Sequence, residues 1–581
     1  MADESPAAGV GRSPEASALS DAPPGQPVLS PQAPPAAAQA QPTLARSSTV
    51  MAAGTAVSRL LGFLRAFVLV VAIGSTLPAA DAFATANTVP NNLYLLIAGG
   101  VLNAVLVPQV VRAARRPDGG EDYVNRLVTA AVVFFAVVTV LLVAAAPLVV
   151  SLFAAEFDGP LRALTVAFAL WCLPQVFFYA LYTLLGQLLN ARGSFGPYMW
   201  APVVNNVVAL VGLGAFIAVF GTADPADPAA ASVDWSPGRV ALLAGTATLG
   251  VAVQALVLLV PLRRAGVRLR PRWGLRGTGL RSAGRTAGWT FAAVVVGQVG
   301  FLAVSNTAAA ARDGAETAAD GLATAGLTAW GLAYLVFMLP HSLVAVSVVT
   351  ALFTRMSRSA AAEDAAAVRE DVSSGMRTIG IASVLATVGL LVLAVPIGVV
   401  ISNGALVPGR AVGRVVFAMA FGLAAFSASY LVQRAFYAFE DARTPFLVQC
   451  LVVATWTAGA LVAAAVLPDE DKVVGVAAAM ALGQVLGLVL GVALLRRRLG
   501  GLDGYRVVRT HVRLLLAGLV AGACGAAVAQ GTSGLLDDGL LGALAVVAAA
   551  GAVVVGVYAA GLWLLHVEEV RPLVRRLTRR G

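Results

Sequence analysis

Charge is what this sequence has least of. Only 12% of its 581 residues are Asp, Glu, Lys or Arg, about half the share that keeps a soluble domain's surface wetted. With 59% hydrophobic residues and a mean hydropathy of +0.84, a chain dissolved in water is excluded. Cysteine is scarce too: Cys172, Cys450 and Cys524 each stand alone in an apolar segment, without CxxC spacing, which excludes a disulfide-stapled fold and reads as small core residues. The three histidines, His341, His511 and His566, lie far apart with no ligand pattern around them, so no zinc is expected. No GxxxxGK[ST], HExxH or GxSxG occurs, so neither a P-loop ATPase nor a standard hydrolase is encoded, and no cofactor is expected. The net charge of +10 does not point to nucleic acid, because the basic residues are not gathered on a soluble domain.

What the chain has is apolar length. Blocks of about 18 or more apolar residues recur, enough at ~1.5 Å per residue to cross a hydrocarbon core. They are apolar all round, as Leu127 to Phe153 shows, whereas barrel strands alternate. The expected fold is an all-α polytopic membrane protein of about 14 transmembrane helices. The spans start near Thr49, Ala82, Leu127, Leu161, Tyr198, Val240, Gly288, Leu327, Gly375, Ala411, Thr444, Val473, Val512 and Leu540. Ahead of them, Met1 to about Arg46 is rich in Ala, Pro, Ser and Gln, a composition expected to stay disordered, and shows no cleavable signal.

Basic residues orient the bundle. With the first tail in the cytoplasm, 31 of the 40 Lys and Arg fall in cytoplasmic segments and six in outer loops, while Arg59, Arg65 and Arg434 lie within helices. Both termini are therefore expected in the cytoplasm of a multi-pass plasma (inner) membrane protein, with runs such as Arg496 to Arg498 bathed by anionic membrane lipids.

Landmarks recur at a nearly constant separation. Pro90 corresponds to Pro340 (offset 250), Pro147 to Pro396 (249), Tyr179 to Tyr430 and Arg192 to Arg443 (both 251). An offset of six helices keeps both halves in the same orientation and predicts two six-helix lobes with a cleft between them, plus two extra C-terminal helices. The implied divisions are a tail over 1–46, lobes over 47–265 and 266–500, and spans thirteen and fourteen with a basic tail over 501–581.

The sharpest chemical signal is SRLLGFLRAF in the first span, where Arg59 and Arg65 are too deep to snorkel easily. An arginine near the bilayer centre costs roughly 2.5–3.5 kcal/mol on insertion scales, so two imply a wet cavity or an anionic partner. Their side chains lie about 120° apart in projection and ~9 Å apart along the axis, flanking a bulky anion instead of stacking. Guanidinium forks suit phosphate oxygens. The alternative is an interhelical pair with Asp81 or with backbone carbonyls. Asp81 opens the second span, where it serves either as that helix's N-cap or as an outer gate that closes on an arginine or an opposite loop. Pro90 and Pro108 should bend that span, and Asn91, Asn92 and Asn103 either line the cavity or satisfy freed carbonyls; of these, Asn91 is the candidate site residue. Arg434, with Glu440 and Asp441 farther along, reads as a surface ion pair.

Taken in order, SRLLGFLR, DAF, VPNNLYLLIAGGVLNAVLVP and FYAFEDARTP resemble the MurJ (MviN) lipid II flippases of the multidrug/oligosaccharidyl-lipid/polysaccharide exporter superfamily. The likeness runs from about Ser48 to His566. It implies a cationic cavity between two lobes, a groove along spans thirteen and fourteen for a polyprenyl tail, and lipid II, the undecaprenyl-diphosphate disaccharide-pentapeptide, as the partner carried from inner to outer leaflet by alternating access. Arg59 and Arg65 match family arginines that engage the diphosphate-sugar head, and Asp81 and Asn91 match positions of gating or transport. Cell-wall synthesis or division proteins are further implied partners. The chain departs from well-studied Gram-negative members: Tyr94 stands where they carry an arginine, Leu335 and Met338 stand in the stretch that bears their eighth-helix arginine and glutamate, and the seventh span from Gly288 to Ala311 has no acidic residue for sodium. The readings set beside this one are a flippase for another polyprenyl-diphosphate oligosaccharide, a cation-coupled drug exporter, and a cell-wall scaffold that transports nothing.

Overall fold

The computed structural model describes residues 41–101, 121–223, 234–274, 284–313, 323–533, 537–567 and 569. Contacts divide the chain into Met1–Thr49 and Val50–Gly581, and the architecture below is that of the second part. Most of the expected tail lies outside the described residues. Its last six do not stay irregular: α1 runs Gln41–Ile73, starting with Pro42 in its first turn, where proline's fixed φ favours a helix and its missing N–H costs nothing.

The first half continues as α2 (Pro78–Val101), α3 (Glu121–Ala144), α4 (Ala146–Phe153), α5 (Gly159–Cys172), α6 (Gln175–Ala191), α7 (Gly196–Phe220), α8 (Pro237–Leu256) and α9 (Leu259–Arg264). The second half holds α10 (Gly284–Asp313), α11 (Leu327–Pro340), one π-helical turn (His341–Ala345), α12 (Val346–Ala361), α13 (Ala365–Ile401), α14 (Leu406–Ala420), α15 (Leu423–Ala438), α16 (Arg443–Val466) and α17 (Asp469–Arg498), followed by α18 (Gly504–Ser533) and α19 (Leu540–Leu564). Several elements are pieces of one pass. Twelve stretches among the described residues are long and apolar enough to span a membrane, and α14 with α15, bent by 47°, forms a thirteenth. The second expected span coincides with α2, whose polar opening DAFATANTVPNN dilutes its hydropathy. The fourteen expected passes thus all correspond to helices.

Packing follows the same division. Apolar clusters gather around Phe83, Phe168 and Phe216 and around Leu185 and Leu258 in the first half, and around Trp330, Val415 and Met480 and Met356, Leu431 and Phe436 in the second. Helix α1 belongs to both. Gly54 lies against Trp200 on α7 and the Ser58 carbonyl accepts from Asn206 Nδ2 at 2.9 Å, while Phe63, Ala66 and Val70 pack into the second-half cluster. In α14, Gly409 and Gly413 let its backbone touch α13 so closely that a Cβ on Gly409 would lie 2.5 Å from the Val399 Cα, the small-residue crossing typical of membrane helices. The pair α18–α19 packs on α13 through Leu514, Tyr558 and Val384, outside the repeat.

The strand of chain between the halves is fixed at its start. The Arg270 N–H donates to Asn125 Oδ1 at 3.0 Å and the Arg272 N–H to Thr129 Oγ1 at 3.0 Å, both on α3. Gly274 then takes a φ of +116°, open to glycine alone.

Candidate functional site: a polar seam between the halves

Six positions at 100° each turn Arg59 and Arg65 away from one another on α1, and the structure sends them to different halves. Arg65 lies seven positions after Ser58, on the face of α1 that meets α7, and its charge bears on Tyr179 of α6. Arg59 lies four, seven and eleven positions before Phe63, Ala66 and Val70, on the face that packs on the second half, and its charge bears on His341 in the π-helical turn. Both arginines are half-buried. The sequence-derived pair therefore does not share one partner; it bridges two polar clusters.

The first-half cluster is built on Gln175, 1% exposed. Its Nε2 donates to Asn87 Oδ1 on α2 and Thr248 Oγ1 on α8, each at 3.1 Å, and its Oε1 accepts from the Tyr179 hydroxyl at 3.4 Å. Thr248 in turn donates to the Trp171 carbonyl at 2.7 Å. A buried amide needs such partners, and three helices meet because one side chain supplies them. Tyr94 packs on Tyr179 with centroids 5.7 Å apart and shares a 2.5 Å hydrogen bond with Thr183.

The second-half cluster is different in kind. His341 Nδ1 lies 3.1 Å from Ser427 Oγ on α15, with its ring 4.5 Å from Phe426 and edge-on to Tyr430 at 5.4 Å. The Tyr430 hydroxyl accepts from Arg434 Nη2 at 3.0 Å. Arg434 is not the surface ion pair expected from sequence: its guanidinium sits 5.6, 5.0 and 5.8 Å from the rings of Phe353, Tyr430 and Tyr437, while Asp441 is taken by Arg498 at 3.2 Å. Ser427, Tyr430 and Arg434 follow i, i+3, i+7 spacing and so share one face of α15.

One end of the seam is closed. Asp81 Oδ1 accepts the Thr328 N–H at 2.7 Å, so this carboxylate, itself 1% exposed, caps the first turn of α11 in the other half, where the helix dipole favours a negative charge. Of the two expected roles, the structure displays a contact across the halves. Nearby, Ser75 Oγ donates to Ser402 Oγ at 3.0 Å, Ser305 Oγ to the Phe153 carbonyl at 2.6 Å, and Asn306 Nδ2 to the Leu152 carbonyl at 2.9 Å, joining α10 to α4.

Asn91 is exposed on α2 and is not drawn into either cluster; Asn87, one turn earlier, is the asparagine that is, and Asn92 is buried. Gln175 and His341 escaped the sequence reading. The repeat holds a signal for the second: at offset 250 His341 is the counterpart of Asn91. Asn103 lies outside the described residues. Among the described residues no three of His, Cys, Asp and Glu gather as metal ligands. A separate groove of about 290 Å³ runs between α13, α14, α18 and α19, with Val392, Pro396, Leu406 and Val546 on its walls and Arg410, Asp537 and Asp538 at its rim.

Two six-pass halves of like topology, joined by a helix that carries two half-buried arginines into the seam, define a polytopic transporter suited to an anionic cargo. Comparison with known proteins places it more narrowly. Residues 69–546 match the family model of the lipid II flippase MurJ, and the chain belongs to that family. It is 25% identical over 504 residues to the probable lipid II flippase MurJ of Haemophilus influenzae, covering 81% of this chain and 89% of that one. To the protein of the same description from Rhizobium tropici it is 26% identical over 498 residues, covering 83% and 86%. Its fold is similar to a solved lipid II flippase MurJ in an inward closed conformation, with a TM-score of 0.69 at 16% identity over 90% of this chain and 100% of that one. It is also similar to an inward-facing MATE-family multidrug transporter of the MOP superfamily, with a TM-score of 0.61 at 13% identity over 76% and 94%.

Proposed function

We propose that this protein carries lipid II from the inner to the outer leaflet by alternating access, with Arg59 and Arg65 engaging the diphosphate. The observation that carries the assignment is the divergence of these arginines toward opposite halves: an anion held between them contacts both, so its arrival and departure bias how the halves meet. The Asp81–Thr328 contact acts as the gate on the outer side, and both termini lie in the cytoplasm, as the arginine distribution supports. The groove beside α18 and α19 receives the prenyl tail. Energy comes from the membrane potential or an ion gradient. A drug exporter for cations would present carboxylates between the two polar clusters, where this chain presents guanidinium groups.

The test is the accessibility of lipid II to a probe outside cells depleted of this protein. Exposure should fall, and recover with the wild-type chain. Unchanged exposure in cells lacking any other flippase overturns the reading.

A further inference from the structure

The second-half cluster contains an ionisable group that the transport scheme so far leaves idle. His341 follows Pro340, which has no N–H to give, and opens the π-helical turn, a rare distortion that concentrates at functional sites. It is 4% exposed, its Nδ1 is held by Ser427, and Arg59, on the face of α1 that packs on this half through Phe63, Ala66 and Val70, is its cationic neighbour. The charged and titratable groups on the elements packed around it are few. Helix α1 presents Arg59; α15 presents Tyr430, Arg434 and Tyr437; α11 offers Tyr334; α12 offers Arg355 and Arg358; α13 offers Arg369, Glu370, Asp371 and Arg377. Asp371 is bound to Arg355, and Glu370 lies within reach of Arg377 at 3.8 Å. Around the imidazole itself the balance is cationic.

We propose that His341 is a positioning residue that takes up a proton when an anionic headgroup settles against Arg59. A second cation beside a half-buried guanidinium is opposed by Coulomb repulsion and desolvation together. A diphosphate at Arg59 reverses the sign of that field. The proton goes to the imidazole, leaving Ser427 Oγ to accept from Nδ1–H, and His341 becomes an imidazolium facing the anion that Arg59 holds. Binding and protonation are then linked, each strengthening the other. The group sits at the break in its helix, so its change of charge falls where the backbone is least regular. In the first half, the repeat-related position is Asn91, which cannot titrate, and this places the linkage in one half only.

The inference rests on lipid II as cargo, and the experiment separates the two. Binding of a short-chain lipid II analogue to the full-length protein in nanodiscs is measured by calorimetry from pH 6 to 8, in buffers of different ionisation enthalpy. The diphosphate diester has no proton to exchange in this range, so uptake reports on the protein. Wild type should take up close to one proton and bind more tightly as pH falls, by at most about tenfold per pH unit for a single proton. His341→Asn and His341→Gln should bind with less than a twofold change over the range and without uptake. Binding without proton uptake in wild type, or the same uptake in the variants, overturns the inference and leaves the cargo standing. No binding at any pH overturns both. Should neither variant fold, the wild-type uptake decides.

Discussion

The two polar clusters that flank α1 occupy related places in the repeat but work by different chemistry. Around Gln175 the groups are neutral and every bond is an ordinary hydrogen bond linking α2, α6 and α8. Around His341 they are a histidine, a tyrosine and a caged arginine. Tyr179 and Tyr430 are the shared element, and what each tyrosine touches sets the difference: Gln175 and Tyr94 in one half, His341 and Arg434 in the other. A repeated scaffold carries two chemistries, one side linked by neutral hydrogen bonds, the other built around ionisable groups.

The largest effect on this comparison should come from the residues that bridge it. Arg59→Ala or Arg65→Ala removes a charge-assisted contact worth roughly 2–5 kcal/mol when its partner is left buried; rescue of growth at matched expression should vanish and lipid II binding weaken at least thirtyfold. Lys should rescue in part, since it keeps charge without the fork, and Gln should behave as Ala. Full activity in both Gln variants would detach these residues from the diphosphate, as would recovery in an Arg65→Asp, Asp81→Arg double mutant.

Next comes the first-half hub. Gln175→Leu strands the Asn87, Thr248 and Tyr179 groups, costing about 1–3 kcal/mol of stability, readable as a lowered Tm of the purified protein. Retention of the wild-type Tm would show that the neutral cluster is not a brace. Smaller still is the seal. Asp81→Ala deletes a helix cap worth ~1 kcal/mol, so the closed arrangement should lose about fivefold in population. Disulfide yield between cysteines placed at Ser75 and Ser402 measures it, and an unchanged yield would mean that Asp81 does not hold the gate. Removal of Met1–Arg46 should change complementation least, because a stretch of this composition has little apolar surface to bury and lies outside the repeat; complete loss of rescue by a truncation that inserts normally would contradict this.

Much of this is legible in the amino-acid sequence. Membrane solvent allows few backbone solutions, so each of the fourteen expected positions falls on a helix and thirteen of these are long and apolar enough to span, and the proline, tyrosine and arginine landmarks expose the repeat. The 120° separation of Arg59 and Arg65 was also readable, though not that it points them at different halves, because that depends on how α1 is rotated between two lobes. Long-range partners were beyond reach for the same reason. Nothing local to Asp81 announces Thr328, 247 residues away, and nothing local to Gln175 announces Asn87. Arg434 was misjudged because Glu440 and Asp441 are its neighbours in sequence, whereas on a helix the groups within its reach were three aromatic rings.

The anchored start of the connection between the halves sets where any pivot lies. With the N–H groups of Arg270 and Arg272 stitched to the Asn125 and Thr129 side chains of α3, the chain as far as Trp273 travels with the first half as a strap sewn to a sleeve. A cysteine pair at Asp122 and Arg272, whose side chains form an ion pair at 3.2 Å and make neither anchoring bond, should therefore cross-link equally whichever way the cleft faces. Gly274, with its φ of +116°, is the first residue beyond these two anchors where the backbone turns into the left-handed region. Lengthening the chain after that glycine should slacken the coupling between halves, whereas the same insertion before Arg270 would unpick the stitching and leave the tether's reach untouched.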